Sequence, residues 1–268
     1  MAAAEEDLDV QLAQTRFRMG LVTGWDLREG ARVLEVGCGQ GDMTAVLAEA
    51  TGPAGRVLGV DVAQPSFGAP VTLGASARRL RDGPLGGRLE FRFGCDVLDP
   101  AVSFPDSAFD AVVLSQCSWY FASREVLAAT LARVRPWAGR LCFAEWDLTA
   151  TAPAQLPHLL AVLIQGQVEA AGVRGTGNVR SPFSREALLR LLPATGWTPD
   201  GVRGADTAGL QDADWEVGAC LALLDAPHWR PRVPPAVVDL VESQADVLRA
   251  LARSRGNAAL PAYALTAR

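Results

Sequence analysis

Lysine is absent from this chain of 268 residues, so all 25 of its basic side chains are arginines. Without an amine side chain, the protein cannot form a Schiff base, bind pyridoxal phosphate covalently or use lysine as a general base, and it lacks the lysine of a phosphate-binding loop. The formal net charge is −5, and a chain without a basic surface is poorly suited to the phosphates of a nucleic acid. We therefore expect no nucleic-acid partner.

Long apolar runs and regularly spaced cysteines are also missing. No apolar run approaches the roughly 18 residues that suggest a membrane span, and residues 1–7 are acidic instead of a basic leader. We therefore expect neither a membrane span nor a secretory signal. The cysteines are odd in number, scattered and without C-x-x-C spacing, at Cys38, Cys95, Cys117, Cys142 and Cys220. This pattern is typical of reduced thiols in a cytoplasmic protein, and it predicts no disulfide and no metal site.

Three glycines at alternate positions mark the most informative stretch, VLEVGCGQGD at residues 33–42. An apolar, strand-like segment runs into Gly37, Gly39 and Gly41, and a helical pattern begins at Asp42. A strand, a glycine turn and a helix N-terminus form the first half of a nucleotide-binding βαβ unit. The acid Glu35 would repel a pyrophosphate but could receive an ammonium group. The ligand implied is a nucleoside with a zwitterionic amino-acid tail.

The phrase LEVGCGQGD resembles the first motif of the class I S-adenosylmethionine-dependent methyltransferases, which reads apolar-apolar-acid-apolar-G-x-G-x-G. This resemblance implies a doubly wound α/β fold with a seven-stranded, mostly parallel sheet, helical cap insertions and S-adenosylmethionine as the cofactor. Specific motifs carry it over residues 25–145, and topology alone carries it beyond them. It places the cofactor against Glu35, Gly37, Cys38, Gly39, Gln40 and Gly41.

Two further acids follow predicted strands where the resemblance implies cofactor contacts. Asp61 ends the second strand 24 residues beyond Gly37, about the interval at which a carboxylate meets a ribose in such folds; a structural cap is the alternative. Asp96 follows the third strand, where the family accepts a hydrogen bond from the adenine amino group, and an Asx turn is the alternative there. Their neighbours complete this part of the expected cofactor site: Val62, Cys95 and Val97.

The loop after the predicted fourth strand, SQCSWYF at residues 115–121, resembles the family's fourth motif. Ligands of open α/β sheets bind outside the carboxyl ends of the strands, near the point where the strand order reverses. Ser115 and Trp119 are therefore expected to face the cofactor, because aromatic rings attract a cation such as a sulfonium. The alternative is that Trp119 belongs to the hydrophobic core.

Residues 152–182 add a mostly apolar helix and a loop rich in glycine and arginine to a minimal fold. His158, Gln165 and Glu169 lie seven and four residues apart on this helix, so they share one face, which either lines a substrate pocket or is solvated. If the acceptor must lose a proton, the candidate bases are His158 and two acids after the fifth strand, Glu145 and Asp147. The acids could equally cap the next helix, and His158 could simply be a polar residue with a satisfied hydrogen bond.

We expect one domain over residues 1–268. Residues 1–24 would form a lid helix over the cofactor, or alternatively a helix packed on the sheet edge. Residues 25–148 would form the cofactor-binding core, and residues 149–182 and 207–257 would form helical caps.

The expected function is methyl transfer from S-adenosylmethionine to the O, N or C nucleophile of a small, partly hydrophobic acceptor, such as one of secondary metabolism. Another use of the cofactor, such as cyclisation, and a non-catalytic cofactor-binding subunit are alternatives. A nicotinamide-dependent oxidoreductase is disfavoured by Glu35 and by the absence of G-x-G-x-x-G spacing. We expect a small-molecule partner and no association with a membrane. Whether the protein forms a homodimer stays an open question.

Overall fold

A computed structural model describes residues 8–174 and 178–268, which form a seven-stranded sheet with flanking helices. The strands are β1 (Arg32–Val36), β2 (Arg56–Asp61), β3 (Leu89–Phe93), β4 (Ala111–Ser115), β5 (Leu141–Trp146), β6 (Pro199–Ala205) and β7 (Ala262–Ala267). The α-helices are α1 (Leu8–Trp25), α2 (Asp42–Ala50), α3 (Leu73–Asp82), α4 (Arg124–Val134), α5 (Leu156–Ala170), α6 (Arg185–Ala194), α7 (Asp212–Asp225) and α8 (Pro235–Arg255).

The strand order is β3-β2-β1-β4-β5-β7-β6. β1 pairs in parallel with β2 and β4, whereas β7 pairs antiparallel with both β5 and β6. The predicted fold class is therefore confirmed. The order reverses between β1 and β4, so the loops after these strands flank the place where such sheets bind ligands.

Local sequence accounts for most of these elements. β4 and β5 are apolar over nearly their whole length, and they are buried along it, as expected of central parallel strands covered on both faces. Ser184 caps α6, because its hydroxyl accepts a hydrogen bond from the Ala187 amide at 3.2 Å. Ser123 caps α4 in the same way, through the Val126 amide.

The first helix extends one residue beyond the lid segment predicted at residues 1–24. It continues to Trp25, whose side chain is fully buried in the main core. It ends there because Asp26 takes a left-handed backbone conformation with φ of +50°. Residues 1–7 lie outside the described residues, as do residues 175–177 of the predicted glycine- and arginine-rich loop.

The described residues contain two apolar clusters. The larger surrounds the sheet, and the smaller is built from α5, α7, α8 and the loops beside them, including Ile164, Cys220, Trp229 and Leu248. The helices of the predicted caps thus bury apolar surface against one another. The boundaries of lid, core and caps remain predictions. None of the helices in residues 8–174 and 178–268 combines the length and apolarity needed to cross a membrane.

Candidate functional site

The glycine turn connects β1 to α2 at the reversal point of the sheet. Gly37, Gly39 and Gly41 all have left-handed φ angles, of +79°, +52° and +86°, which glycine adopts without steric cost. Their surroundings differ. A Cβ at Gly37 would come within 2.8 Å of the Cys117 Cβ, and one at Gly41 within 2.8 Å of Leu80, whereas a Cβ at Gly39 would meet nothing within 4 Å. The open side of the turn is therefore at Gly39.

Glu35 lies two residues before this turn and is buried. Its Oε2 accepts a hydrogen bond from the Thr44 hydroxyl at 2.6 Å. Burial raises the pKa of Glu35 to about 8, although the Thr44 bond opposes the rise. An ammonium group placed against this carboxyl would favour its charged form.

Asp61 ends β2 beside the open side of the turn. Its Oδ2 accepts from the Gly39 amide at 2.9 Å, and its Oδ1 accepts from the Ala63 amide at 2.8 Å. Each carboxylate oxygen has a second lone-pair site. Asp61 can therefore hold the turn and still accept hydrogen bonds from two ribose hydroxyls.

The other residues expected to contact the cofactor differ in their exposure and in their hydrogen bonds. Asp96 is exposed, and its Oδ1 accepts from the Leu98 amide at 2.9 Å, which is the Asx-type bond considered as its alternative. Gln40 donates to the Val71 carbonyl at 2.8 Å, which ties the turn to the segment before α3. Val62 is exposed, whereas Cys38 and Val97 are buried and Cys95 is half-buried.

The loop after β4 comes directly against the glycine turn. The Cys117 thiol donates to the Val36 carbonyl at 3.2 Å. Ser115 is the last residue of β4. Trp119 is fully buried in the main core, so its surroundings are those of a core residue, the alternative considered for it above. Its indole N–H nevertheless has no hydrogen-bond partner among the described residues.

Tyr120 follows Trp119 and keeps 42% of its surface exposed. Burial nevertheless raises the pKa of Tyr120 above its usual range, and the carboxyl groups of Glu145, Glu216 and Asp212 add to the rise. The ring of Tyr120 therefore reaches the surface while it lies within electrostatic range of these three carboxyl groups.

Two acids of α7 stand near Tyr120, and buried amides from other helices orient them. Gln14 of α1 donates to Asp212 Oδ2 at 2.6 Å, and Gln165 of α5 donates to Glu216 Oε2 at 2.9 Å. Burial raises the pKa of both acids. We call Tyr120, Asp212 and Glu216 the cap cluster.

Glu145, a candidate base, is buried at the carboxyl end of β5. Its Oε2 accepts from the amide and the hydroxyl of Ser118, at 3.0 and 2.5 Å, and its Oε1 accepts from the Trp146 amide at 3.1 Å. Burial raises the pKa of Glu145 to about 7, while these bonds hold it from rising further. A carboxyl group with this pKa suits proton transfer near neutral pH.

The other two candidate bases are engaged in contacts between elements. Asp147 forms an ion pair with Arg185 at 2.8 Å and accepts from the Thr149 amide. His158 is buried, and its Nδ1 accepts from the Leu260 amide at 3.0 Å. Burial lowers the pKa of His158 to about 4, so the ring is neutral at pH 7 and carries its proton on Nε2. Neither nitrogen then has a free lone pair for base catalysis.

The predicted polar face of α5 is divided among three partners. His158 meets the segment before β7, Gln165 meets α7, and Glu169 pairs with Arg180 at 3.5 Å. Gln165 alone of the three contacts the cap cluster.

Sequence reasoning did not name Tyr120, Asp212 or Glu216 as site residues. The four-residue spacing of the two acids on α7 was visible and places them on one helix face. Their position opposite Tyr120 depends on how α7 packs against α1 and α5, which no local pattern specifies.

Comparison with known proteins shows what the chain is similar to. A family model described as a methyltransferase domain matches residues 33–138. The nocamycin O-methyltransferase of Saccharothrix syringae is 37% identical over 192 residues, which cover 70% of this chain and 60% of that protein. The chain spans between 40% and 60% of the length of the curated relatives it matches.

Solved structures share the whole architecture. A cyclopropane-fatty-acyl-phospholipid synthase-like protein from Lactobacillus casei is 31% identical with a TM-score of 0.86, covering 100% of this chain and 94% of that one. The [4+2]-cyclase SpnF, at 21% identity and a TM-score of 0.58, covers 95% of this chain and 80% of its own. At that identity, the similarity to SpnF concerns the fold alone.

Proposed function

The chain belongs to the class I S-adenosylmethionine-dependent methyltransferase family, and we propose that it transfers a methyl group from this cofactor to a small-molecule acceptor. The observation that carries the proposal is the glycine turn, which is open at Gly39 and faces the carboxylate of Asp61. When bound, S-adenosylmethionine supplies a methyl group already activated by its positively charged sulfur.

The residues around the turn fit the parts of that cofactor. Glu35 receives the ammonium group, Asp61 accepts from the ribose hydroxyls with its remaining lone pairs, and Asp96 accepts from the adenine amino group with Oδ2. The backbone at Gly39 lets the nucleoside approach closely, because no side chain occupies that space.

The acceptor would bind beside the cap cluster. Tyr120 supplies an aromatic wall that follows β4, and the caps supply Asp212 and Glu216 from α7. Their carboxyl groups, oriented by Gln14 and Gln165, would accept hydrogen bonds from the acceptor. Enclosure by α1, α5 and α7 would position the acceptor and exclude water, which is the main work of a methyltransferase whose leaving group is already activated.

An oxygen nucleophile is the acceptor atom that we place first, and the name of the nocamycin O-methyltransferase supports this choice. A hydroxyl acceptor loses a proton during transfer, so a base near neutral pKa is useful. Glu145 is the candidate, because it lies at the carboxyl end of β5, is bonded to the loop after β4 through Ser118, and has a pKa of about 7. Asp147 and His158 hold the ends of β5 and α5 in place.

The proposed compartment is the cytoplasm. All five cysteines carry free thiols, and Cys38, Cys117, Cys142 and Cys220 are buried. Free thiols in these numbers are typical of a reducing compartment.

A labelling experiment tests the proposed function. The purified protein is incubated with methyl-labelled S-adenosylmethionine and a pool of small hydroxylated metabolites, and mass spectrometry follows S-adenosylhomocysteine and the products. We expect a labelled product heavier than its precursor by one methylene group, and none with a Gly39→Ala variant. An isomerised product without label would indicate cyclisation instead. Binding of NAD in place of S-adenosylmethionine would contradict the proposal.

A further inference from the structure

Arg18 lies on a face of α1 that points toward the glycine turn and α7. Gln11, Gln14 and Arg18 are three and four residues apart, so they lie on the same side of the helix. Gln11 donates to Asp42 at the start of α2 at 3.1 Å, and Gln14 donates to Asp212 at the start of α7 at 2.6 Å. This face of α1 therefore joins the first turn of α2 to the first turn of α7.

The guanidinium group of Arg18 lacks a counter-ion within contact distance in the described part of the chain. Its Nη1 is buried and makes no hydrogen bond there. A buried cationic donor without a partner costs free energy, so its retention at this place calls for an anion.

The charge of Arg18 nevertheless acts on three carboxyl groups, those of Glu35, Asp42 and Asp212. Burial raises the pKa of Glu35, and the positive charge of Arg18 opposes that rise. The same opposition acts at Asp212, whose pKa burial also raises. Arg18 is thus close enough to act on Glu35 and Asp212 electrostatically, while no ion pair within 4.0 Å joins it to either of them.

We infer that Arg18 binds the α-carboxylate of the cofactor's amino-acid tail. The inference rests on the proposed function, in which Glu35 receives the ammonium group of the same tail. Ammonium and carboxylate are bonded to one carbon, so a cation whose charge acts on Glu35 suits the carboxylate of the same tail. A guanidinium group matches a carboxylate through two parallel hydrogen bonds.

This assignment gives α1 a role in binding. The tail would be bound between Glu35 of β1 and Arg18 of α1, so cofactor binding would stabilise the position of α1 over the site. The Gln14–Asp212 hydrogen bond would extend this stabilisation to α7, which carries two members of the cap cluster.

Three ligands that differ only in the tail test the inference by calorimetry. S-adenosylhomocysteine has both charged groups, decarboxylated S-adenosylhomocysteine keeps only the ammonium, and 5′-methylthioadenosine lacks the tail. The variant is Arg18→Gln. The matched control is Arg16→Gln, because Arg16 is exposed on the same helix.

Arg18→Gln should weaken the binding of S-adenosylhomocysteine by about ten- to a hundredfold, which is the effect of removing hydrogen bonds to a charged group. It should leave the affinities for the two other ligands unchanged, and Arg16→Gln should change the affinity for none of the three. Equal binding of S-adenosylhomocysteine by parent and Arg18→Gln overturns the inference, as does an equal loss for all three ligands, which would indicate a structural effect. If the parent binds none of the three, the proposed function fails as well.

Discussion

Ser118 donates two hydrogen bonds to one oxygen of Glu145, from its amide at 3.0 Å and from its hydroxyl at 2.5 Å. These bonds join the loop after β4 to the end of β5, and Tyr120 follows two residues later. The buried carboxyl group therefore positions the loop that carries Tyr120. Its protonation state should influence both the stability of the fold and any proton transfer.

Replacing Ser118 by alanine should destabilise the protein in a pH-dependent way. The folded pKa of Glu145, about 7, lies above its value of 4.5 in an unfolded chain. Stability from this group is therefore fully present below pH 4.5 and is lost as the pH rises through 7. Without the hydroxyl the folded pKa rises further. The cost of Ser118→Ala should thus be small at pH 4.5 and reach about 1–3 kcal/mol at pH 9.

Urea unfolding of Ser118→Ala and its parent at several pH values measures this difference. Repeating the pair in a Glu145→Gln background should abolish the pH dependence, because no carboxyl group remains to titrate. A cost that is the same at pH 4.5 and pH 9 would show that Glu145 does not respond to Ser118.

Glu35→Gln should stabilise the ligand-free protein at alkaline pH and weaken its binding of the cofactor. The folded pKa of Glu35, about 8, is raised by burial, so its contribution is complete below pH 4.5 and is lost as the pH rises through 8. Glutamine keeps an acceptor for Thr44 and has no charge to bury. We expect a gain of about 1–4 kcal/mol at pH 9 and little change at pH 4.5.

Calorimetry on the same variant checks its effect on binding. S-adenosylhomocysteine should bind about tenfold or more weakly at pH 8, because the ammonium group loses a charged partner, whereas 5′-methylthioadenosine should bind as it does to the parent. Parent-like affinity for both would remove Glu35 from the tail site.

The two glycines Gly37 and Gly39 should respond differently to alanine. Gly37→Ala should destabilise the fold strongly, since its Cβ would meet Cys117 at 2.8 Å, whereas the space at Gly39 is open. Gly39→Ala should cost about 1–2 kcal/mol for its left-handed backbone and should lose cofactor affinity through obstruction of the ligand. Thermal unfolding and calorimetry separate the two effects. A folded Gly39→Ala that binds S-adenosylhomocysteine like the parent would contradict the open-side assignment.

The fold, the glycine turn and the acid beside it could be predicted because their signals are local. A strand running into G-x-G-x-G and an acid at the end of the next strand identify Gly39 and Asp61 from short segments. No local pattern identifies Arg18, because the role proposed for it depends on how α1 packs relative to Glu35. The same holds for Gln165 and Glu216, which are 51 residues apart in sequence. Packing between helices determines these pairs, and helix periodicity alone does not specify which faces meet.

His158 provides the sharpest contrast between a catalytic and a structural role. Its Nδ1 accepts from the Leu260 amide, and its ring packs edge-on against Trp146 at 5.4 Å between centroids. Burial lowers its pKa to about 4 from 6.5, so its contribution to stability is present above pH 6.5 and is lost as the pH falls through 4. Acid should therefore unfold the parent partly through this residue.

Two substitutions at His158 separate these roles. His158→Asn can place its amide oxygen near the Leu260 amide and should retain most of the stability, whereas His158→Leu leaves that buried amide unpaired and should cost about 1–3 kcal/mol. If the residue is structural, the folded asparagine variant should transfer methyl groups at close to the parental rate. A base would be irreplaceable by asparagine, and its loss would lower turnover by about a hundredfold or more. A stable His158→Asn with that loss would return His158 to the mechanism in place of Glu145.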